Sequence, residues 1–112
     1  MGTWQSKEMS SFILVAGNDA VAYGELHINP LEMSEEVERL LVAPSRRGQG
    51  LGSRLLEEMY QVACRRRGVA RVTACLDGDS AGALGCFLKA GFALESSGLE
   101  VKGLKLARVV QR

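Results

Sequence analysis

Residues 45–59, "SRRGQGLGSRLLEEM", join a glycine-rich turn directly to a helical pattern. Gly48, Gly50 and Gly52 lie within five residues, and apolar residues then recur at helical spacing. The first turn of a helix has N–H groups without intrahelical partners, and the helix dipole makes this end positive. Glycines let an anion approach the backbone closely, because no Cβ intervenes. The stretch therefore predicts a binding site for a phosphate or another anion.

The spacing of these glycines argues against the two best-known nucleotide loops. The P-loop requires Gly-Lys-Ser/Thr, which occurs nowhere in the chain. The dinucleotide fingerprint requires Gly-x-Gly-x-x-Gly, whereas the spacing here is Gly-x-Gly-x-Gly. A nucleotide-binding domain and a purely structural turn therefore remain only as alternatives.

Composition describes one globular domain over residues 1–112, of which 1–11 are expected to be weakly ordered. No apolar run reaches the ~20 residues that span a bilayer, and the first residues lack a signal-peptide core, so we expect a cytoplasmic protein without a membrane partner. The net charge of +1 gives no general attraction to nucleic acid. Cys64, Cys75, Cys86 and the single His27 lack metal-site spacing. We therefore expect no metal site, and we expect the cysteines to be buried.

The hydrophobic pattern predicts an α/β domain with a mixed sheet and the order β-β-β-α-β-α-β-β. The predicted strands are 12–16, 20–28, 36–42, 69–76, 92–96 and 101–109, with a loop at 31–35. One helix begins at Leu51 and ends in the basic residues 65–67; a shorter one, capped by Asp79 or Ser80, ends at Leu88 or Lys89. For 36–42, helix is the competing interpretation, but the short apolar run stopped by Ala43-Pro44 favours a strand.

Three segments resemble the GNAT acyltransferase superfamily. Residues 47–52, "RGQGLG", match its Arg/Gln-x-x-Gly-x-Gly/Ala motif, and 39–52, "RLLVAPSRRGQGLG", are similar to its fourth strand and pyrophosphate loop. Residues 80–92, "SAGALGCFLKAGF", are similar to a short helix ending at Lys-x-Gly-Phe. The resemblance covers about 12–109 and implies a mostly antiparallel sheet with a V-shaped splay between its central strands.

The resemblance implies an N-acetyltransferase that moves an acetyl group from acetyl-CoA to a primary amine of a small molecule or a protein, by direct transfer in a ternary complex. The pantetheine arm would pair with the backbone of 40–42 and the diphosphate with amides of 47–52, with Arg46 and Arg47 neutralising charge. Ser80 stands where many members carry a cofactor-contacting Asn. The cofactor-binding residues so implied are Leu40, Leu41, Val42, Arg46, Arg47, Gly48, Gln49, Gly50, Leu51, Gly52, Ser53, Ser80 and Phe87.

Acyl transfer needs a neutral amine, and a lysine-like amine with a pKa near 10.4 is almost entirely protonated at neutral pH, so a general base is valuable. Strand alternation places Glu36, Glu38 and Leu40 on one face. By the resemblance, Glu36 matches the catalytic Glu of histone acetyltransferases, and histidines stand at both glutamate positions in serotonin-acetylating relatives. We predict Glu36 as base, with Glu38 assisting through water or shaping the acceptor site. Solvated strand carboxylates are the alternative interpretation. Backbone N–H groups near Leu41 and Val42 are the predicted oxyanion donors.

Two features depart from the family pattern. Many members carry a Tyr where this chain has Phe87, which has no hydroxyl; the adjacent Cys86 is a structural cysteine or, alternatively, a nucleophile. About ten residues precede the first strand, where members usually have a strand and two helices. We therefore expect an acceptor side that is open, or completed in a homodimer or by an N-terminal domain missing from this chain. An acyl-CoA-binding regulatory module with little or no activity is the alternative function.

Overall fold

The computed structural model describes residues 9–77, 81–95 and 103–111. The elements are, in chain order, strands β1 (Met9–Ala16), β2 (Asp19–Asn29) and β3 (Ser34–Val42), helix α1 (Leu51–Cys64), strand β4 (Arg71–Leu76), helix α2 (Ala81–Lys89), and strands β5 (Ala93–Leu94) and β6 (Leu104–Val109). Short 3₁₀ turns, Pro30–Glu32 and Pro44–Arg46, flank β3. The predicted order of strands and helices is confirmed.

The strands form one sheet in the order β1-β2-β3-β4-β6-β5. Among the described strands, only β3 and β4 pair in parallel, so the expected mixed, mostly antiparallel sheet is confirmed. Both helices share one hydrophobic core with the sheet, in which Leu56 and Met59 of α1 and Phe87 of α2 are almost fully buried. Removing such side chains from water is the main source of stability, at roughly 1.5–3 kcal/mol for each.

The other face of β1, β2 and β3 has no helix on it among the described residues. The residues of this face follow from the pairing register, because directly paired residues point to the same side of a sheet. We call this surface the open face: Ser11, Ile13, Tyr23, Glu25, His27, Glu36, Glu38 and Leu41. Its half near the first hairpin is apolar and exposed, whereas its other half carries charged side chains.

A bulge in β3 changes which residues face the helices. Tyr23 pairs with Leu41 but Glu25 pairs with Glu38, so Arg39 and Leu40 together oppose the single residue Gly24. Arg39 adopts a left-handed φ of 57°, and Leu40 packs against the core. The prediction that Leu40 shares a face with Glu36 and Glu38 is therefore wrong, because the extra residue reverses the alternation.

The limits of several elements differ from the sequence predictions. Residues 9–11, predicted as weakly ordered, belong to β1 and pair with β2. Ser34 and Glu35, predicted as loop, are the first residues of β3. Helix α1 ends before the basic residues 65–67. Arg66 instead donates a 2.7 Å hydrogen bond to the fully buried carboxylate of Glu35, because a buried charge requires a charged partner. The predicted cap at Asp79 or Ser80 lies outside the described residues.

The expectation of buried cysteines is wrong for Cys75, which is exposed; Cys64 and Cys86 are partly buried. Within the described ranges, no helix is both long and apolar enough to cross a membrane. In the same ranges, no group of three or more His, Cys, Asp or Glu side chains is arranged to hold a metal ion.

Candidate active site

The parallel strands β3 and β4 separate soon after they meet. They pair only at Ser34–Glu36, opposite residues 71–73, after which β4 continues to pair with β6 alone. From Val37 onwards, the edge of β3 that faces β4 therefore lacks a paired strand among the described residues. Backbone groups on such an edge are available to a ligand. This is the V-shaped splay that the family resemblance implies.

A cavity of about 450 Å³ lies at the wide end of the splay. We call it the first cavity. Its walls are β3, the glycine turn and one side of α2. The lining residues are Leu40, Leu41, Val42, Arg46, Arg47, Gly48, Gly50, Leu51, Gly52, Gly82, Ala83 and Cys86.

Glycine is favoured at the three positions of the turn for two different structural reasons. Gly48 and Gly50 adopt φ values of 83° and 79°, a conformation that favours glycine, and Gly50 is the N-cap of α1. Gly52 is inside the helix, where a Cβ would lie only 2.8 Å from Sγ of Cys86. Two glycines thus shape the turn, and the third lets α1 approach α2 closely.

Positive charge surrounds the glycine turn. Arg46 and Arg47 line the first cavity, and Nε of Arg47 donates a 3.3 Å hydrogen bond to the carbonyl oxygen of Val42. Nζ of Lys89, at the end of α2, lies 3.7 Å from the position that a Cβ would take at Gly50. These cations add to the positive N-terminal end of α1, so the turn attracts anions.

A second cavity of about 470 Å³ adjoins the first. Leu40 and Ala83 line both cavities, so the two meet within the splay. The lining residues of the second cavity are Glu36, Val37, Glu38, Arg39, Leu40, Cys75, Leu76, Ala83 and Phe87. The second cavity therefore places the carboxylates of Glu36 and Glu38 next to the first cavity.

Glu36 is the most perturbed carboxyl group of the second cavity. Its pKa is raised, first by burial and then by the negative charge of Glu38, while Lys105 and His27 act in the opposite direction. A carboxylate with a raised pKa is a better proton acceptor. The register places Glu36 and Glu38 on one face, as predicted, opposite His27 and Glu25 respectively.

The side chain of Phe87 is 1% exposed and contributes only carbon atoms to the second cavity. Its ring contacts that of Phe92 edge to face, with 5.0 Å between the ring centres. Cys75 supplies a thiol to the same cavity. Partial burial and the charge of Glu36 raise the pKa of this thiol, so it stays protonated at neutral pH.

A polar network on the open face lies beside Glu36 and Glu38. Tyr23 donates a 2.5 Å hydrogen bond to Glu25, whose other oxygen lies 2.8 Å from Nε2 of His27 and 3.4 Å from Arg39. These contacts, with those to Tyr23 first, lower the pKa of the Glu25 carboxyl. The sequence analysis missed this network, although the spacing of 23, 25 and 27 in a strand indicates a shared face.

The structure brings nine of the predicted cofactor-binding residues to the first cavity. Gln49 and Ser53 are not among its lining residues, and Phe87 lines the second cavity instead. Ser80 lies outside the described residues. Sequence analysis missed Gly82, Ala83 and the cavity-facing position of Cys86. Small residues at helical spacing, one turn apart in α2, are the signal that indicates such a face.

Comparison with known proteins agrees with this architecture. The family model described as "Acetyltransferase (GNAT) family" matches residues 3–92. A search of curated protein sequences gives no significant match.

Solved structures show the same fold at low sequence identity. The ribosomal-protein-S18-alanine N-acetyltransferase of Escherichia coli superposes with a TM-score of 0.75 at 19% identity, covering 96% of this chain and 73% of that one. An IAA acetyltransferase of Bacillus cereus gives 0.76 at 17%, covering 92% and 79%. The spermidine N-acetyltransferase of Vibrio cholerae, in complex with CoA and spermine, gives 0.77 at 16%, covering 95% and 68%. With a family model that matches most of its length and a sheet that opens beside a glycine-rich helix start, the chain belongs to the GNAT family of acetyltransferases, whose cosubstrate is acetyl-CoA.

Proposed function

We propose that this chain is an N-acetyltransferase that transfers the acetyl group of acetyl-CoA directly to a primary amine in a ternary complex. The observation that carries the proposal is the junction of two cavities. A cationic cavity beside a glycine turn meets, at Leu40 and Ala83, a cavity that contains Glu36. One side is suited to a phosphate-bearing acyl donor and the other to an amine.

The first cavity has the properties that coenzyme A requires. The diphosphate is proposed to bind the backbone amides of 47–52, with Arg46 and Arg47 balancing its charge. A hydrogen bond that involves a charged group contributes about 1.5–3 kcal/mol. The pantetheine arm is proposed to extend along the unpaired edge of 40–42. Its thioester end would then point towards the second cavity.

Glu36 is proposed as the general base. It takes a proton from the acceptor ammonium group, and the neutral nitrogen then attacks the thioester carbon. The C–S bond breaks, CoA leaves as a thiolate, and the acylated nitrogen releases its second proton to solvent water as the amide forms. Because a thiol has a pKa near 8.5, the thiolate is a tolerable product at neutral pH, so Phe87 need not supply a proton. Backbone N–H groups near Leu41 and Val42 are the proposed donors to the negative charge on the thioester oxygen.

The acceptor is a cationic amine, in this proposal, because Glu36 and Glu38 give its cavity a negative charge. Two similar structures, named as a spermidine N-acetyltransferase and a ribosomal-protein-S18-alanine N-acetyltransferase, support both a small amine and a protein amine as candidate acceptors. The exposed Ile13 and Leu41 of the open face favour a cover by a second subunit or a further domain. The reaction is proposed to occur in the cytoplasm.

Calorimetry with acetyl-CoA, CoA and NAD tests the donor half. We expect binding of both CoA compounds but not of NAD, and about tenfold weaker binding by Arg46→Gln, since one charged contact is lost. Arg65→Gln, which removes an exposed arginine beyond the other end of α1, is the matched control and should bind normally. Tight NAD binding without CoA binding would overturn the proposal.

A binding module without turnover is the second candidate, because Phe87 has no hydroxyl and no helix of the described residues covers the open face. Thiol release with a panel of amines and peptides separates the two functions. Binding of acetyl-CoA without release for any acceptor would favour the module.

A further inference from the structure

The Tyr23–Glu25–His27 network holds a buried carboxylate on the open face. Glu25 is 6% exposed, and burying a carboxylate is unfavourable unless donors surround it. Tyr23, His27 and Arg39 supply those donors. Apolar residues occupy the half of the open face near the first hairpin, so hydrophobic residues at these positions as well would be the simpler way to build a stable sheet.

The network ends beside the proposed base. His27 is the direct partner of Glu36 in the antiparallel pairing of β2 and β3, so both side chains project from the open face as neighbours. The pKa of the Glu36 carboxyl is raised overall, first by burial, and the charge of His27 acts against this rise, as expected for neighbouring groups. The side chain of His27 is 34% exposed, so one side of its ring reaches solvent.

The hydrogen bond to Glu25 fixes the tautomer of the ring. Contacts with its neighbours lower the pKa of Glu25, so this group is an ionised carboxylate and can only accept hydrogen bonds. Nε2 of His27, at 2.8 Å, must therefore carry the hydrogen. In the neutral ring, Nδ1 is then an unprotonated acceptor.

We propose that His27 relays protons between Glu36 and solvent during acetyl transfer. The proposal rests on the proposed function, in which Glu36 removes a proton from the acceptor ammonium group. That proton passes from Glu36, directly or through one water, to Nδ1 of His27, and leaves from the exposed ring to bulk water. Glu36 is thereby returned to its carboxylate form, and no bond other than those to the proton changes. His27 is thus a positioning and relay residue, oriented by Glu25.

Other charged and titratable groups also face this pair. They are Tyr23 and Glu25 from β2, Glu38 and Arg39 from β3, Glu32 from the preceding turn, Cys75 from β4 and Lys105 from β6. Arg39 and Lys105 already have carboxylate partners, Glu25 and Glu95. Among these described groups, His27 is the imidazole, the side-chain type that can both accept and release a proton.

Substitution of His27 by glutamine tests the relay. The side-chain amide can still donate to Glu25, but it cannot carry a proton at neutral pH. We expect kcat to fall about tenfold or more in weakly buffered solution, with an unchanged KM for acetyl-CoA. Added imidazole should restore kcat of His27→Gln in proportion to its concentration and leave the wild type unaffected. Ser11→Ala, which touches Tyr23 but not the imidazole, is the control and should behave as wild type.

Two further measurements separate a relay from a structural role. Because His27 is the single histidine of the chain, its ¹⁵N chemical shifts report the tautomer without ambiguity, and we expect hydrogen on Nε2. Glu25→Gln keeps an acceptor but loses the negative charge, and should lower kcat in the same direction as His27→Gln.

The outcomes distinguish this inference from the proposed function. A wild-type protein that transfers acetyl groups, with a His27→Gln variant that is equally fast or is not restored by imidazole, would overturn the relay alone. Hydrogen on Nδ1 would also overturn it. A wild-type protein that transfers to no amine would overturn the proposed function and the relay together.

Discussion

Replacement of Gly52 by alanine tests whether the third glycine of the turn serves helix packing. The new Cβ would lie 2.8 Å from Sγ of Cys86 and 3.6 Å from Cγ2 of Val42. Since Cβ atoms essentially never approach other heavy atoms within 3.0 Å, α1 and α2 must move apart or Cys86 must change rotamer. Such overpacking costs about 1–3 kcal/mol, and the higher helix propensity of alanine offsets up to about 1 kcal/mol. The free energy of unfolding should therefore fall by about 0–2 kcal/mol.

A double-mutant cycle isolates this contact. In a Cys86→Ala background the sulfur is absent, so Gly52→Ala should become neutral or stabilising, with a coupling energy of about 1–3 kcal/mol between the two positions. Gly85→Ala is the matched control, because Gly85 is an exposed glycine of α2 with nothing within 4 Å of an added Cβ. It should stabilise the protein by up to about 1 kcal/mol.

Urea denaturation at equilibrium measures all four variants. If Gly52→Ala were as stabilising as Gly85→Ala, or if its effect were the same with and without the Cys86 sulfur, the packing explanation of Gly52 would be refuted.

Three further predictions concern charged residues. Glu38→Gln removes a negative charge that raises the pKa of Glu36, so the acid limb of the pH–rate profile should move to lower pH. Arg66→Gln leaves Glu35 charged and buried without this arginine, and chemical denaturation should show a loss of about 3 kcal/mol, at the lower end of the range because Arg66 is partly exposed; Glu35→Gln in the same background should recover part of it. The pKa of Glu25 is lowered from its ordinary value, mainly by hydrogen bonds from Tyr23 and then His27. Its stabilising contribution is therefore present above the ordinary pKa and disappears as the pH falls through the lower folded-state pKa. Glu25→Gln should make stability less dependent on pH in that range; an equally steep acid transition would contradict this assignment.

Local patterns predict the order of elements correctly. The turn at 17–19 determines the first hairpin, and the proline after Ala43 ends the third strand where the chain turns towards the glycine motif. The bulge at Arg39 could not be predicted in this way, because it depends on the pairing of β3 with β2 across Gly24. The same limitation explains the wrong face assigned to Leu40.

The candidate site likewise contains some residues that a local motif predicts and others that only tertiary contacts bring together. The glycine turn is a contiguous motif, so its residues can be predicted from spacing alone. Lys89 and Cys86 approach that turn only through the packing of α2 on α1, and His27 reaches Glu36 only through strand register. No pattern within one segment of the sequence indicates these contacts, because they join residues of different elements. Tertiary contacts therefore supply what the sequence analysis missed.

Thiol release from acetyl-CoA, measured with and without an amine acceptor for the wild type and Glu36→Gln, tests the central proposal most directly. Glu36→Gln is nearly isosteric and keeps hydrogen-bonding capacity, but it cannot accept a proton. We expect CoA release by the wild type only when an amine such as spermidine or a peptide is present, and a rate lower by about 10²-fold or more for Glu36→Gln. Release that does not require an amine, or an equal rate for Glu36→Gln, would contradict direct transfer with Glu36 as the base.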